Sequence, residues 1–446
     1  MVPRLLAAAT AAALLTCSAA APAAPDFTPR VLASGLRNPW EILTGPDGWL
    51  WVTERSGHRV LRIDPENGTT RVAATVTEAI GGKRGQDGLL GMALRLPDVY
   101  LAYSYDADPS PAVAERFKIA DFRYAAATGT LRHHADLLTG LPASPDHDSG
   151  RLVLGPDDKL YYTIGDQGNN QFGRFCLRNR ARDLPADARD RSAYQGKVLR
   201  LERDGTIPAD NPVLDGVRTH IWSYGHRNAQ GLVFGRGRLY SSEQGPKTDD
   251  EINEIRPGGD YGWPRVAGRR DDLAYRYADW SASAPAPCSS LTYSDYTIPS
   301  SVPTYTEKSF TSTAYTEPLR TIGTVPDGYH FQDPRCAGHP HMCWPTVAPS
   351  SLDFYDAPGI PGWRGSLLMP ALKDGTVYRI PTGRNGDPVA QLHTVDRYRD
   401  VAISPDGRTV FVATDPSGTA LGRDGRPTTS LEHPGAILAF HHTAAR

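Results

Sequence analysis

The sequence predicts an all-β protein built as a β-propeller, and three observations carry that expectation. No long stretch repeats apolar residues at the 3.6-residue period of a helix, whereas turn signals followed by short alternating or apolar runs recur along the chain. Four of these units resemble one another: Gly45-Pro46-Asp47-Gly48 before WLWVTE, Gly155-Pro156-Asp157-Asp158 before LYYTIGD, Gly235-Arg236-Gly237 before RLYSSE, and Ser404-Pro405-Asp406-Gly407 before TVFVATD. The 43 glycines and 38 prolines supply the turns that many short strands need. Repeated strand units of this kind bury their faces against neighbours in a propeller, whereas a plain sandwich would carry fewer strands.

Taken in order, the chain opens with Arg4, a short apolar run from Leu5 to Thr16 and small residues from Ser18 to Ala24. This pattern predicts a secretory signal over 1–24, followed by one propeller domain over 25–446. The run is too short and alanine-rich for a membrane span. Leu14-Leu15-Thr16-Cys17 resembles a lipoprotein site, although threonine before the cysteine fits that pattern poorly. Export permits disulfides, and four cysteines remain: Cys176, Cys288, Cys336 and Cys343. The close pair Cys336 and Cys343, around Gly338 and Pro340, is expected to bond, which leaves Cys176 with Cys288.

Further strands are expected at 58–64, 197–202, 376–381 and 436–440, with long loops at about 168–195 and 269–350 on one face. Residues 280–315 have the Ser, Thr, Tyr and Pro content of a linker, but their aromatics and Cys288 favour an ordered loop layer. The recurrent strands end in Glu54, Asp166, Glu243 and Asp415, which the propeller reading delivers to one end of the central channel. With 48 basic against 50 acidic residues, the charge balance gives no argument for nucleic acid.

The chemistry centres on Asp146 to Gln171. The turn at Gly155–Asp158 folds Leu152–Leu154 against Leu160–Ile164 and returns Asp166 toward His147. A carboxylate beside an imidazole fixes its tautomer and raises its basicity, as a general base needs; the same local pattern also fits an ordinary loop histidine. The glycine-dense loop 81–91 lacks the strand and helix of a nucleotide loop, leaving Gln86 as an amide over a pocket or a turn residue. Arg227 beside Asn228 suits an oxygen-rich ligand or a structural ion pair. Gly245 to Glu251 could ligate a hard cation, without EF-hand spacing. Lys373, Arg397 and Arg399 facing one channel would want an anion, although each alone reads as a surface charge. His339, His341 and Cys343 mimic a metal cluster, against which stands the expected bond of Cys343 to Cys336.

Together these segments resemble the soluble quinoprotein glucose dehydrogenases and the aldose sugar dehydrogenases, six-bladed propellers that use pyrroloquinoline quinone and calcium. The resemblance runs from WEILTGPDGWLWVTERSG through GQDGLLGMA, DHDSGRLVLGPDDKLYYTIGDQGN, SYGHRNAQGLVF, EQGPKTDDEINEI, YGWP, CWPTVAPSS, PALKDG and RYRDVAISPDG to TTSLEHPGAI. It implies long loops on the active-site face, oxidation of a sugar at its anomeric carbon to the lactone, and an external electron acceptor. In that pattern His147 is the base, Asp166 its partner and Arg227 the guanidinium that stabilises charge on the quinone. Gln86, Asp146, His341 and Trp344 stand at the sugar, and Asn228, Gln244, Lys373, Arg397 and Arg399 at the cofactor. Gly245 and Pro246, with Asp250 nearby, stand at the catalytic calcium, and Ala267, Asp271 and Glu307 at a structural one. Homodimers occur in the family; the sequence carries no interface signal.

The chain departs from the family at three places. His341 stands where the glucose enzymes have a tyrosine, Arg269 replaces another tyrosine, and Cys176 and Cys288 have no recognised counterpart. A calcium-dependent propeller lactonase and a non-catalytic sugar-binding propeller are the competing readings. The lactonase would not need the cations Lys373, Arg397 and Arg399, and in the sugar-binding propeller His147 would be dispensable.

Overall fold

The computed structural model describes residues 27–443 except 83, 84, 109, 111, 384 and 385. The expected signal segment and Cys17 lie outside the described residues. Six four-stranded antiparallel sheets form the blades. The first holds Pro39–Thr44, Leu50–Glu54, Arg59–Ile63 and Thr70–Thr75, and the second Leu89–Arg95, Asp98–Asp106, Glu115–Ala125 and Thr130–Leu141. The third holds Ser149–Leu154, Leu160–Ile164, Lys197–Leu201 and Ile221–Tyr224. The fourth holds Ala229–Gly235, Arg238–Glu243, Asp250–Ile255 and Arg320–Ile322, and the fifth Asp353–Tyr355, Ser366–Pro370, Thr376–Pro381 and Val389–His393. In the sixth, Tyr398–Ile403, Thr409–Thr414 and Ile437–His441 are completed by Pro29–Ala33 from the start of the chain. That strand closes the ring, so the last blade presents no unpaired joint to the first.

The six-bladed expectation holds, as do all four further strands, within a residue at their ends. The predicted turn is present: Gly155 N donates to Lys159 O at 2.8 Å, Asp158 takes φ 60, and Leu154 pairs with Leu160. The 280–315 region is an ordered loop layer that buries Trp280, Val302 and Phe310.

The first strands of the blades surround the axis, and five of them break register at the same end. The breaks fall between Pro39 and Ile42, Leu89 and Met92, Ser149 and Leu152, Ala229 and Gly231, and Tyr398 and Asp400. Such a bulge bends the strand and re-aims the extra side chain. Here the extra residues include Glu41, Arg151, Gln230 and Arg399, all buried. In two blades a threonine fills the gap in the ladder: Thr53 Oγ1 accepts from Glu41 N at 3.1 Å, and Thr163 Oγ1 from Arg151 N at 2.9 Å.

Arg151 ties the ring together at its centre. It pairs with Glu41 of the first blade and, at 3.0 Å, with Asp400 of the sixth. Its Nε donates to Gln230 O at 2.9 Å, its Nη2 to Ser350 O at 3.2 Å, and its guanidinium lies 4.2 Å from the Trp40 ring centroid. Glu41 in turn accepts from Met92 N of the second blade at 3.3 Å. A buried guanidinium with every nitrogen engaged and two carboxylates beside it is the arrangement that offsets the cost of taking such charges out of water.

Candidate active site

Above this knot the channel opens into a cavity of about 700 Å3. The third blade delivers its central pair. Asp166 follows the strand Leu160–Ile164, and His147 precedes the bulge at Ser149, so the hairpin brings His147 Nδ1 to 2.7 Å from Asp166 Oδ1. The approach is close enough that a Cβ on Gly165 would meet His147 O at 1.9 Å, so only glycine fits there. His147 itself takes φ 51, an uncommon state for a residue with a Cβ, which persists only where surroundings enforce it.

Asp166 is completely buried, and burial alone would raise its pKa; His147 and Arg227 overcome this and hold the carboxyl below its ordinary value. Gly168 N at 2.9 Å, Asn179 Nδ2 at 2.8 Å and Trp263 Nε1 at 2.7 Å donate to its oxygens. An anionic Asp166 accepts from Nδ1–H, which leaves Nε2 as the free lone pair of the imidazole. Gln171 sits between His147 and Arg227. Its Oε1 accepts from Arg227 Nη2 at 3.1 Å, and its Nε2 lies 3.0 Å from His147 Nδ1.

The cavity wall includes Gln86, Asp146, Arg227, Gln244, Gly245, Pro246, Asp250, His341, Trp344, Lys373, Arg397 and Arg399 beside His147. Gln86 Nε2 donates to Asp146 Oδ1 at 2.7 Å. Arg227 Nη1 donates to Gln244 O at 3.0 Å. Arg399 pairs with Asp415 at 2.8 Å and donates to Gln230 Oε1 at 3.0 Å. Lys373 Nζ donates to Trp344 O at 2.6 Å, and burial brings its pKa down to about 8. The Arg227 Nε is buried without a hydrogen-bond partner, whereas the Arg397 Nε lies 3.4 Å from Asp415 Oδ2. Burial also lowers the His341 pKa, helped by the charge of Lys373, which favours the neutral ring.

Several expected residues stand elsewhere or are held by the protein's own backbone. Asn228 lies behind the wall: Ser149 N donates to its Oδ1 at 3.2 Å, and its Nδ2 donates to Gln244 Oε1 at 3.2 Å. Asp250 uses both oxygens on backbone, accepting from Gly245 N at 2.8 Å and from Val347 N and Ala348 N at 2.6 and 3.0 Å, so it shapes the loop that presents Gly245 and Pro246. Ala267 and Glu307 meet away from the cavity, where Glu307 accepts from Ala267 N at 3.1 Å and Asp272 N at 3.0 Å. The charges of Asp271 and Asp249 reach Glu307 there, and burial raises its pKa to about 7. Arg269 points outward to Glu317.

Of the four strand-end acids, Asp415 alone lines the cavity. Asp166 and Glu243 stand one layer back; Glu243 accepts from His226 Nδ1 at 3.0 Å and from Arg227 N, and so holds Arg227 as Asp166 holds His147. Glu54 is fully buried against Arg59 and Arg37 N. The metal-cluster reading of His339, His341 and Cys343 is closed, because Cys343 is bonded to Cys336; Cys176 is bonded to Cys288. The sequence reading missed Arg55, Gln171, Phe172 and Gln230. Arg55 was findable, since it follows a strand-end acid directly and joins the cavity cations. Gln230 was not, because a bulge turns it inward.

The fold defines the class: a six-bladed β-propeller. The chain belongs to the glucose/sorbosone dehydrogenase family, whose model matches residues 36–319 and 318–423. It is 42% identical to quinoprotein glucose dehydrogenase B of Acinetobacter calcoaceticus over 438 residues, covering 94% of this chain and 92% of that protein. The apo soluble aldose sugar dehydrogenase of Escherichia coli aligns with a TM-score of 0.64 at 25% identity, over 94% of this chain and all of that one. The fold also matches the PQQ-bound aldose sugar dehydrogenase of Streptomyces coelicolor, with a TM-score of 0.61 at 24% identity over 94% and 99% of the two chains.

Proposed function

We propose that this dehydrogenase uses pyrroloquinoline quinone (PQQ) and calcium to oxidise aldose sugars at the anomeric carbon to the lactone. One observation carries the reading: the Asp166–His147 pair opens on a cavity lined by a cluster of cations, whose buried Arg227 keeps an Nε–H donor without a partner. A buried donor of that kind calls for an acceptor-rich ligand. A tricarboxylate fits, because Lys373, Arg397, Arg399 and Arg55 line the same cavity against the carboxylates Asp415 and Asp250. These cations, which a lactonase or a sugar-binding scaffold would not need, set the dehydrogenase reading above both.

PQQ, held by these residues, would supply a two-electron acceptor at that place. His147 takes the proton of the anomeric hydroxyl at Nε2, while Asp166 fixes the ring through Nδ1–H and stabilises the imidazolium that forms. Gln86 and Asp146 orient sugar hydroxyls, and His341 and Trp344 form the wall that excludes water and selects the ring. Arg227, held by Glu243 and Gln171, directs its guanidinium at the negative charge that develops in the cavity. The carbonyls of Gly245 and Pro246 suit calcium, a hard cation, and the cluster Asp249, Glu251, Asp271 and Glu307 near Ala267 concentrates the negative charge a structural calcium wants. Electrons leave to an external acceptor. The two disulfides suit an exported protein; among the described residues no helix is long and apolar enough to cross a membrane.

The test is reconstitution of the purified apoprotein with calcium and PQQ, followed by dye reduction with a panel of aldoses. Saturable cofactor binding in the micromolar range and aldose-dependent reduction are expected, and absence of either sinks the reading. His147→Ala is expected to bind the cofactor and lose turnover; full turnover would remove His147 from the base role.

A further inference from the structure

On the seam between the second and third blades lies a cleft of about 430 Å3 lined by four arginines and no carboxylate. It shares no lining residue with the mouth cavity. One wall belongs to the second blade: Arg116 comes from its strand Glu115–Ala125, and Gly140, Pro142 and Ala143 from the end of Thr130–Leu141 and the link that leads on to Asp146. The other wall is the insertion between Leu160–Ile164 and Lys197–Leu201 of the third blade, which contributes Arg174, Arg180 and Arg191.

The protein does little to neutralise these four guanidiniums. Arg116 Nη1 donates to Glu115 O at 2.7 Å, Arg174 Nε to Asn169 Oδ1 at 3.1 Å and Arg191 Nη1 to Thr139 O at 2.6 Å; among the described residues none of the three pairs with a carboxylate. Arg180 Nε pairs with Asp183 at 3.0 Å, but Asp183 also takes both terminal nitrogens of Arg178. Asp190, which precedes Arg191, accepts from Ser192. Behind the wall the buried Lys197 gives Nζ to the carbonyls of Ala181 and Gln195, at 2.8 and 2.7 Å, and among the described residues it too has no carboxylate partner. Gathered like charges raise one another's energy, and an anion placed among them removes that cost.

Charge and size narrow the anion. The planar guanidinium fork suits both carboxylate and phosphate oxygens. Four arginines against the one shared carboxylate of Asp183 leave at least three positive charges at the cleft. Two phosphoryl groups carry about −3 to −4 at pH 7, which matches, whereas a single carboxylate would leave most of that charge unmet. A cavity of ~150 Å3 takes up one benzene, so the cleft has room for a small ring with a phosphate at each end.

We propose that this cleft binds two phosphoryl groups and thereby clamps the insertion of the third blade against the second. Binding there needs neither PQQ nor calcium. The phosphates can sit on one soluble molecule or on neighbouring lipid headgroups, and the chemistry that recognises them is the same.

The test is calorimetry on the purified protein with fructose 1,6-bisphosphate, a ketose that the reaction proposed above does not consume, at physiological ionic strength. Saturable binding in the micromolar range is expected. Arg116→Gln and Arg180→Gln, whose side chains make only local contacts and whose melting should follow the wild type, are each expected to weaken it at least about tenfold, as loss of a charge-assisted hydrogen bond does. Lys373→Met, a change in the mouth, is expected to leave it as it is. Gluconate, with one carboxylate in place of two phosphates, is expected to bind at least tenfold more weakly. Sedimentation with phosphatidylglycerol vesicles separates the sources: protein that sediments, and is released by both cleft variants, reads lipid phosphates, and protein that stays in solution reads a soluble molecule. The proposal is overturned if neither probe binds, if binding is unchanged in both cleft variants, or if it is lost only in Lys373→Met, which would put the anion in the mouth. Gluconate binding as tightly as the bisphosphate overturns the assignment to phosphate.

Discussion

Arg151 at the knot and the cations of the mouth sit on one channel and meet the cost of burying charge in opposite ways. Arg151 has carboxylates from two blades beside it and spends all its nitrogens on Glu41, Asp400, Gln230 and Ser350. At the mouth Asp415 serves both Arg397 and Arg399, at 3.4 and 2.8 Å, and Arg227 keeps a buried Nε without a hydrogen-bond partner. The knot is therefore complete without a ligand and the mouth is not. A satisfied buried network holds a fold in one arrangement, whereas an unsatisfied one stores binding energy for whatever completes it.

The largest effect should come from breaking the satisfied end. Arg151→Met leaves Glu41 and Asp400 buried without their cation, and unfolding in urea should show a loss of ~3–5 kcal/mol with activity per folded molecule retained. A loss below ~1 kcal/mol would mean the knot is not what joins the blades. At the unsatisfied end the balance should reverse: Arg227→Ala is expected to lower kcat by ~100- to 1000-fold while stability shifts by under ~1 kcal/mol, because the residue is aimed at charge that appears during the reaction. A drop in stability comparable with that of Arg151→Met would erase the distinction between the two ends.

A smaller effect follows from Lys373. Burial lowers its pKa to about 8, and a ligand carboxylate beside it would raise that value again. Cofactor binding then takes up a proton above pH 8, so affinity should be full below pH 8 and fall by at most about tenfold per unit as pH rises beyond it. Lys373→Met should weaken binding and flatten that dependence in a spectral titration; a profile still steep in the variant would point to another group. A change of selectivity alone is expected for His341→Tyr, which should alter the ratio of kcat/KM between aldoses by about tenfold, within the range of a pocket contact, and leave cofactor affinity unchanged. A shift in cofactor affinity alone would take His341 out of the sugar wall.

Much of this was legible because it is written in short-range pattern. The turn and the strands around Gly155–Asp158 are neighbours in sequence, so the approach of Asp166 to His147 could be read before any tertiary information. Arg151 could not: in SGRLVL it looks like a polar residue at a strand start, and its partners lie 110 and 249 residues away. The strand-end acids were only half legible. Their common position was visible, but whether each faces the cavity, as Asp415 does, or the layer behind, as Asp166, Glu243 and Glu54 do, depends on which neighbouring loop reaches it first.

By itself the sequence determined the strands, their turns, the repeat that makes a propeller and the hairpin that brings an acid to a histidine, because each depends on residues a few positions apart whose backbone preferences act locally. The tertiary structure decided which polar residues are turned inward. Bulges at one end of five inner strands aim Glu41, Arg151, Gln230 and Arg399 at the axis, and closure of the ring by Pro29–Ala33 fixes the distances among them. Whether a buried charge there finds its counter-charge or waits for a ligand is settled by the sum of all six blades, and no single stretch of chain contains that sum.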